Sequence, residues 1–270
     1  MAIITISRGS YSRGKEVAEA VAARLGYECI SRDVLLDASK RFNIPEVKLI
    51  RAIHDAPTLL QRMGHDRSAY MAYIRSALTW RVREDNVVYH GLAGHILLQG
   101  VSHVLKVRII ADIENRAAAE AAREGISLKK ARELLVKDDE ERRRWSHSLY
   151  GKDPWDSHLY DLILHVKKLR TEDAVEFICQ AANLPQFHAT EASRQKLEDL
   201  ALACRIKAAI LDVDKDADIT CEYGNLIVYS QAGERAVRQL EKRAAALLGE
   251  IPAINNLEVH EGKAPAGAGA

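Results

Sequence analysis

An apolar, β-branched run, Ala2-Ile3-Ile4-Thr5-Ile6-Ser7, leads directly into Gly9-Ser10-Tyr11-Ser12-Arg13-Gly14-Lys15-Glu16, and apolar residues then recur at helical spacing from Val17 to Leu25. The run has the composition of a buried parallel strand. The later stretch reads as a helix that stops at Gly26. A strand, a glycine-bracketed loop ending in lysine, and a helix form the sequence pattern of a phosphate-cradling loop. Gly9 and Gly14 free the backbone to turn its N–H groups toward one anion. The helix N-terminus adds partial positive charge and Lys15 a full one. The position after the lysine, usually Ser or Thr, is Glu16 here. A carboxylate can hold Mg²⁺ directly or through water, and it can equally repel nucleotide phosphates. An ordinary glycine-rich βα turn is the rival reading.

The chain has 270 residues, 47% hydrophobic and 29% charged, with a formal net charge of +1. These values fit a globular protein of one large and one small domain, or two of medium size. The near-neutral charge argues against general nucleic-acid binding. No apolar run reaches the roughly 18 residues a membrane span needs. No basic region, apolar core and cleavage site open the chain, so a cytoplasmic protein is expected. Cys29, Cys179, Cys204 and Cys221 are scattered and read as reduced thiols, with no disulfide frame or zinc site.

Further strands are expected at 27–30, 86–90, 104–111 and 159–166, with a helix-rich block from Val34 to Glu84. Helices follow at Ile113 to Glu124, at Ser127 to Leu149 with Ser127 as N-cap, and at Thr171 to Ala182. Strands separated by helices imply an α/β fold, a parallel sheet with helices on both faces. Ligands in such sheets bind at the carboxyl ends of the strands. That rim would gather the phosphate loop, Asp33, the Gly91 turn and Ala111.

After a stretch holding Pro185, Gln186, His188 and Thr190, the pattern changes. Helix 196–211, strands 216–222 and 226–230 around the Tyr223-Gly224-Asn225 turn, helix 233–248 and strand 254–260 give a small α+β unit in the order αββαβ. The expected division is 1–185, a linker at 186–192, the small unit at 193–262 and a flexible tail at 263–270.

The opening ITISRGSYSRGKEVAEAVAARLGY resembles the first strand, phosphate loop and helix of the cytidylate kinase-like family of P-loop kinases, in which an acidic residue after the basic one is common. The segment from Arg123 to His165 resembles that family's helix, lid and strand, including Tyr160-Asp161-Leu162. The likeness spans about the first 180 residues. The C-terminal unit, with its ITCEYGNLIVYSQAG segment, is similar to a BON domain. Two places depart from the family pattern: the third strand ends His90-Gly91-Leu92-Ala93-Gly94-His95, where relatives carry a glycine-arginine pair, and the last strand ends His165-Val166, where they tend to a small polar residue.

The resemblance implies a P-loop kinase fold with a five-stranded parallel sheet and helical lid, ATP and Mg²⁺ as cofactors, and phosphoryl transfer to a nucleotide or related small acceptor. A catalytically weak nucleotide-sensing protein that signals through its BON-like domain is the alternative. Gly9, Ser10, Tyr11, Ser12, Arg13 and Gly14 would supply backbone donors, Lys15 would contact the β- and γ-phosphates, and Glu16 would be the metal ligand. Arg142 and Arg143, in the lid-like region, would close over the transferring phosphate. They would equally suit a solvated helix face paired with Glu140 and Glu141. Asp33 would bind or deprotonate the acceptor, or simply start the next helix; Arg62 and Arg75 would hold an acceptor phosphate. His90, His95 and Trp80 read as structural; Trp145 and Trp155 read as packing residues or as a cover for a base near the lid; Asp153 and Asp156 would order the lid or approach Mg²⁺, with solvated loop acids the rival reading. The C-terminal unit has room for a ligand or protein partner, and Leu-rich helical faces permit a homodimer.

Overall fold

A computed structural model describes residues 2–10, 12–54 and 64–265. By compactness the chain divides into two units. The first runs up to Asp33 and again from Glu84 to Ala189; the second takes Val34–Ile53, the stretch ending at Arg83, and the chain from Thr190 onward. The helical block that lies inside residues 1–185 in the linear reading therefore clusters with the C-terminal elements.

In the first unit, β1 (Ile3–Arg8) is central to a five-stranded sheet that also contains β2 (Glu28–Ile30), β3 (Val87–Tyr89), β4 (Val104–Ile110) and β5 (Leu162–His165). The order is β2-β3-β1-β4-β5 and every neighbouring pair is parallel. Ile3 pairs in register with Val87 on one side and Val104 on the other. A strand flanked on both edges and covered on both faces must be apolar throughout, which is why β1 is an almost unbroken β-branched run. The helix α1 (Gly14–Leu25) places Val17, Ala18, Val21 and Ala22 on its buried face. They join Ile4, Ile6, Val107, Ile109 and Ile178 in one core, each large aliphatic side chain contributing roughly 1.5–3 kcal/mol. Gly26 ends α1 in the left-handed conformation at φ 69°, its N–H returning to the Ala22 carbonyl.

The turn after β3 carries a one-turn helix, α5 (Gly94–Leu97), that the sequence pattern does not announce. The pair α6 (Ile113–Glu124) and α7 (Leu128–Tyr150) packs through Ala117, Ala131 and Leu135. Ser127 is the N-cap of α7, as expected, accepting from the Lys130 N–H. The strand expected from Leu159 starts only at Leu162, because Ser157–Leu159 is a single 3₁₀ turn. Helix α8 (Thr171–Ala182) closes the unit against α1.

The second unit takes α2 (Asp33–Phe42) from its second residue on, α3 (Glu46–His54), α4 (Gly64–Arg81) and α9 (Glu191–Ile210), with α4 lying along α9. Helix α9 begins earlier than the expected 196, because Thr190 and Ser193 form a reciprocal capping box. Strands β6 (Asp218–Glu222), β7 (Asn225–Ser230) and β8 (Asn256–Glu261) form a mixed sheet, antiparallel then parallel, with α10 (Glu234–Glu250) connecting the last two. Its core holds Ile206, Leu226, Val228, Leu240 and Ile254. The buried Asp199 of α9 accepts from the N–H groups of Tyr223 and Gly224, both at positive φ (50° and 73°), and so holds the β6–β7 turn.

Candidate active site

The loop between β1 and α1 follows the expected strand and precedes the expected helix, but it takes its left-handed turn at Arg13 and not at Gly9 or Gly14, neither of which has a positive φ. Ser12 is buried, and both its hydroxyl and its N–H donate to the Gly9 carbonyl, at 2.9 Å and 3.4 Å. That N–H therefore closes the loop on itself. Arg13 is the N-cap of α1 with φ 60°, a left-handed conformation held by a non-glycine residue. Gly14 is required by packing: a Cβ there would lie 2.6 Å from Arg8 Cδ and 2.7 Å from Arg8 Cβ. Lys15 and Glu16 are exposed on the first turn of α1, and Lys15 Nζ lies 3.6 Å from Glu19, one turn along. Tyr11 lies outside the described residues.

Residues more than a hundred positions away converge on this loop. Arg142 Nη2 donates to Ser10 Oγ at 2.7 Å and Nη1 to the Arg8 carbonyl at 3.3 Å. Asp138, one turn before it on α7, pairs with Arg142 at 3.2 Å and hydrogen-bonds the same Ser10 hydroxyl. Arg116 of α6, which is 7% exposed, donates from Nε to the Ser10 carbonyl at 2.7 Å and grips Asp139 bidentately at 2.7 and 2.9 Å. The Arg116 guanidinium also packs beside Gly9, where a Cβ would lie 3.1 Å from its central carbon. Arg8 carries a buried Nε without a hydrogen bond. Its pKa is lowered, first by burial and then by the Arg142 charge. Among the described residues only Glu19 offsets the Arg8 charge, and it does so without an ion-pair contact, which fits an incoming anion beside the loop.

Of the two lid arginines expected from the sequence, only Arg142 is hydrogen-bonded to the loop among the described residues. Arg143 turns to Asp153, with Nε–Oδ2 2.9 Å, and lies 4.8 Å over the Trp155 ring. Asp153 is thus an ion-pair partner, its carboxyl held below the usual range chiefly by the hydrogen bond from Arg143. Trp155 is 52% exposed and does not pack into a core, whereas Trp145 does. Asp33 is the first residue of α2, exposed, and accepts from the Ser31 N–H at 3.3 Å, which organises the turn after β2. Arg75 is on α4 of the second unit, and Arg62 lies outside the described residues.

Beside the loop, the Tyr160 hydroxyl donates to the Pro154 carbonyl at 2.9 Å and lies 3.2 Å from both Ser7 Oγ and His95 Nε2. Arg108 donates to the same oxygen at 3.3 Å. Burial, reinforced by Arg108 and Lys106, pushes the His95 pKa down to about 3, so the ring is neutral at pH 7. His90 is likewise lowered, first by burial. Both histidines are buried, and each has an Nδ1 without a hydrogen bond among the described residues. Among the described residues no cluster of three or more His, Cys, Asp or Glu side chains could hold a metal ion. A Mg²⁺ ion needs no such cage, since it is held by one or two carboxylates together with phosphates and water, and Glu16 is the one acid in the first turn of α1. All four cysteines are free thiols. No helix among the described residues is long and apolar enough to cross a membrane.

Arg116, Asp138, Asp139 and Arg8 were not legible as site residues. The signal available was weak: an acidic pair four residues ahead of an arginine run on one helix.

Comparison with known proteins agrees with this geometry. The model of the cytidylate kinase-like family matches residues 3–168. A cytidylate kinase from Sulfolobus acidocaldarius is 25% identical over 186 residues, covering 68% of this chain and 96% of that protein. One from Methanopyrus kandleri is 33% identical over 107 residues, 37% of this chain and 55% of the relative, so that match spans about half of the archaeal protein. In the fold alone, an uncharacterized protein from Eubacterium ventriosum is similar, with a TM-score of 0.52 at 18% identity over 68% of this chain and 99% of that one.

Proposed function

The chain belongs to the cytidylate kinase-like family, and from that premise we propose that it transfers a phosphoryl group from ATP to a nucleotide or a related small acceptor. The observation that carries this reading is Ser10: its hydroxyl and carbonyl are held by Arg142 and Arg116, guanidiniums delivered by two helices onto the loop ahead of α1. Phosphoryl transfer asks a protein for positioning and charge neutralisation more than for covalent chemistry. ATP, with Mg²⁺, supplies the transferable group. The chain's own part is divided as follows. The backbone from Gly9 to Gly14 and the N-terminus of α1 bind phosphate oxygens, with Ser12 holding the loop's shape. Lys15 brings a mobile ammonium and Glu16 a carboxylate for the metal. Arg142 neutralises charge developing on the phosphoryl oxygens, with Arg8 adding to the positive field. Asp33 is assigned to the acceptor hydroxyl, and Arg62 and Arg75 to an acceptor phosphate.

Asp138 favours a second reading. Its carboxylate sits on Ser10 and Arg142, an anion already lodged at the loop. A protein that binds ATP by displacing this carboxylate, without turnover, would act as a nucleotide sensor that signals through its C-terminal unit. The αββαβ order of that unit supports a BON-like module.

Incubation of the purified chain with γ-labelled ATP and a panel of nucleosides and nucleoside monophosphates separates the two. Transfer to one acceptor, lost in Lys15→Ala with ATP-independent stability unchanged, is the expected result. ATP binding without transfer to any acceptor would leave the sensor.

A further inference from the structure

The second unit carries a group of charges that the phosphate-loop chemistry does not use. Trp80, at the end of α4 and 37% exposed, is surrounded by three guanidiniums. Arg83 lies 3.7 Å over its ring, Arg41 of α2 4.6 Å and Arg205 of α9 5.5 Å. Three separate helical segments thus deliver positive charge to one indole, and every member belongs to the second unit. Cation–π attraction accounts for part of the arrangement, on the order of 0.5–1 kcal/mol per exposed contact. It does not account for three like charges together.

The compensation is incomplete. Arg83 pairs with Glu198 at 3.3 Å. The nearby Arg81 is itself paired with Asp37 at 3.3 Å, so that pair adds no net charge. Arg41 and Arg205 have no carboxylate within ion-pair distance among the described residues. Only Glu250, at the end of α10, faces Arg205 from a distance. Burial and mutual repulsion act in one direction on both: the Arg41 pKa is lowered by burial, then by Arg205 and Arg83, and that of Arg205 by burial and by Arg83 against Glu250. A guanidinium does not lose its proton in a protein, so this repulsion persists as stored unfavourable energy unless an anion is present.

We propose that Arg41, Arg83 and Arg205, gathered on Trp80, form a second anion site that takes the phosphate group of a small phosphoester. Planar forks bind tetrahedral oxyanions through paired N–H···O bonds, and arginine is the residue suited to that recognition. The indole fixes the forks in place and gives the ester's organic part an aromatic edge.

The test uses the full chain carrying Lys15→Ala, so that the phosphate loop is weakened, and calorimetric titration with three probes: inorganic phosphate, pyrophosphate and cytidine 5′-monophosphate. Saturable binding is expected. It should weaken at least about tenfold when Arg41→Gln and Arg205→Gln are added, and fall steeply with salt. Tighter binding of the monophosphate than of phosphate identifies an ester ligand; the reverse order identifies free phosphate and overturns the ester assignment. Removing two repelling charges should leave the melting temperature equal or higher. If the glutamine variant nonetheless fails to fold, Arg41→Lys with Arg205→Lys keeps the charge and loses the fork, and should also bind more weakly. Equal affinity with and without the arginines overturns the proposal, as does the absence of saturation by all three probes. Loss of kinase activity plays no part in the readout, so failure of the phosphate-loop reading is separately visible.

Discussion

Arg142 and Ser10, separated by 132 residues in sequence, meet through a 2.7 Å hydrogen bond that joins the long α7 helix to the phosphate loop. Its neighbour Arg143 points instead to Asp153, at 2.9 Å. Two adjacent arginines of one run therefore have different partners. Arg142→Ala should lower kcat for phosphoryl transfer by roughly 10²–10³, the range for removing a donor that stabilises transition-state charge. Arg143→Ala, which breaks an exposed pair, should change kcat only a few-fold. Steady-state kinetics on both variants decides it; equal losses would contradict the division.

Lys15 is exposed and, among the described residues, pairs only with Glu19, at 3.6 Å. Lys15→Ala should leave the melting temperature of the unliganded chain within about a degree, since exposed pairs contribute little. ATP, which is expected to raise the melting temperature of the unaltered protein, should then no longer do so. Thermal denaturation with and without ATP measures both.

Gly14 has no room for a side chain, because Arg8 crosses it at 2.6 Å from an added Cβ. Gly14→Ala should destabilise the first unit by roughly 1–3 kcal/mol through overpacking and abolish ATP binding by moving Arg8. Chemical denaturation together with nucleotide titration checks this. Retained ATP affinity would show that the loop adapts.

His95 is neutral in the fold, with its pKa pushed down to about 3 from 6.5. The unfolded chain takes up a proton below about pH 6.5, and the folded chain does so only near pH 3. Stability therefore falls as pH drops through that window, by about 1.4 kcal/mol for each unit of pKa difference at most. His95→Gln should flatten the acid limb of stability between pH 6.5 and 3. Denaturant midpoints measured across that range test it.

Asp199 holds the β6–β7 turn by accepting from the Tyr223 and Gly224 N–H groups, each at 3.0 Å. It also raises the Cys221 thiol, whose pKa is pushed up to about 12, mainly by burial and then by this carboxylate. Asp199→Ala leaves the buried Gly224 N–H and the part-buried Tyr223 N–H without their acceptor and should cost about 1–3 kcal/mol of stability in the second unit. ATP affinity should be unchanged. Hydrogen exchange resolved by segment distinguishes a local loss from a global one.

Sequence alone determined the strand, glycine-bracketed loop and helix at the N-terminus and the alternation of strands and helices, but gave no bounds for α2, α3 and α4 inside the helix-rich block and did not announce α5. The features it determined are local. A buried parallel strand must be apolar at each position, Gly26 must end α1 where φ turns positive, and Ser127 caps α7 through its own next turn. The boundaries at β5 and α9 moved because a 3₁₀ turn and a capping box rest on hydrogen bonds that periodicity does not express. Tertiary structure decided which charges matter. No pattern distinguishes Arg116, buried against Asp139 and Ser10, from a surface arginine of an amphipathic helix. Nor does any pattern separate Arg142 from Arg143, which are adjacent in sequence and differ only in the direction the helix turns them. The grouping of the helical block with the C-terminal elements, and of three arginines around Trp80, is of the same kind. Such contacts join residues tens to hundreds of positions apart, so they are set by how packed helices orient their faces and not by the spacing of residues along the chain.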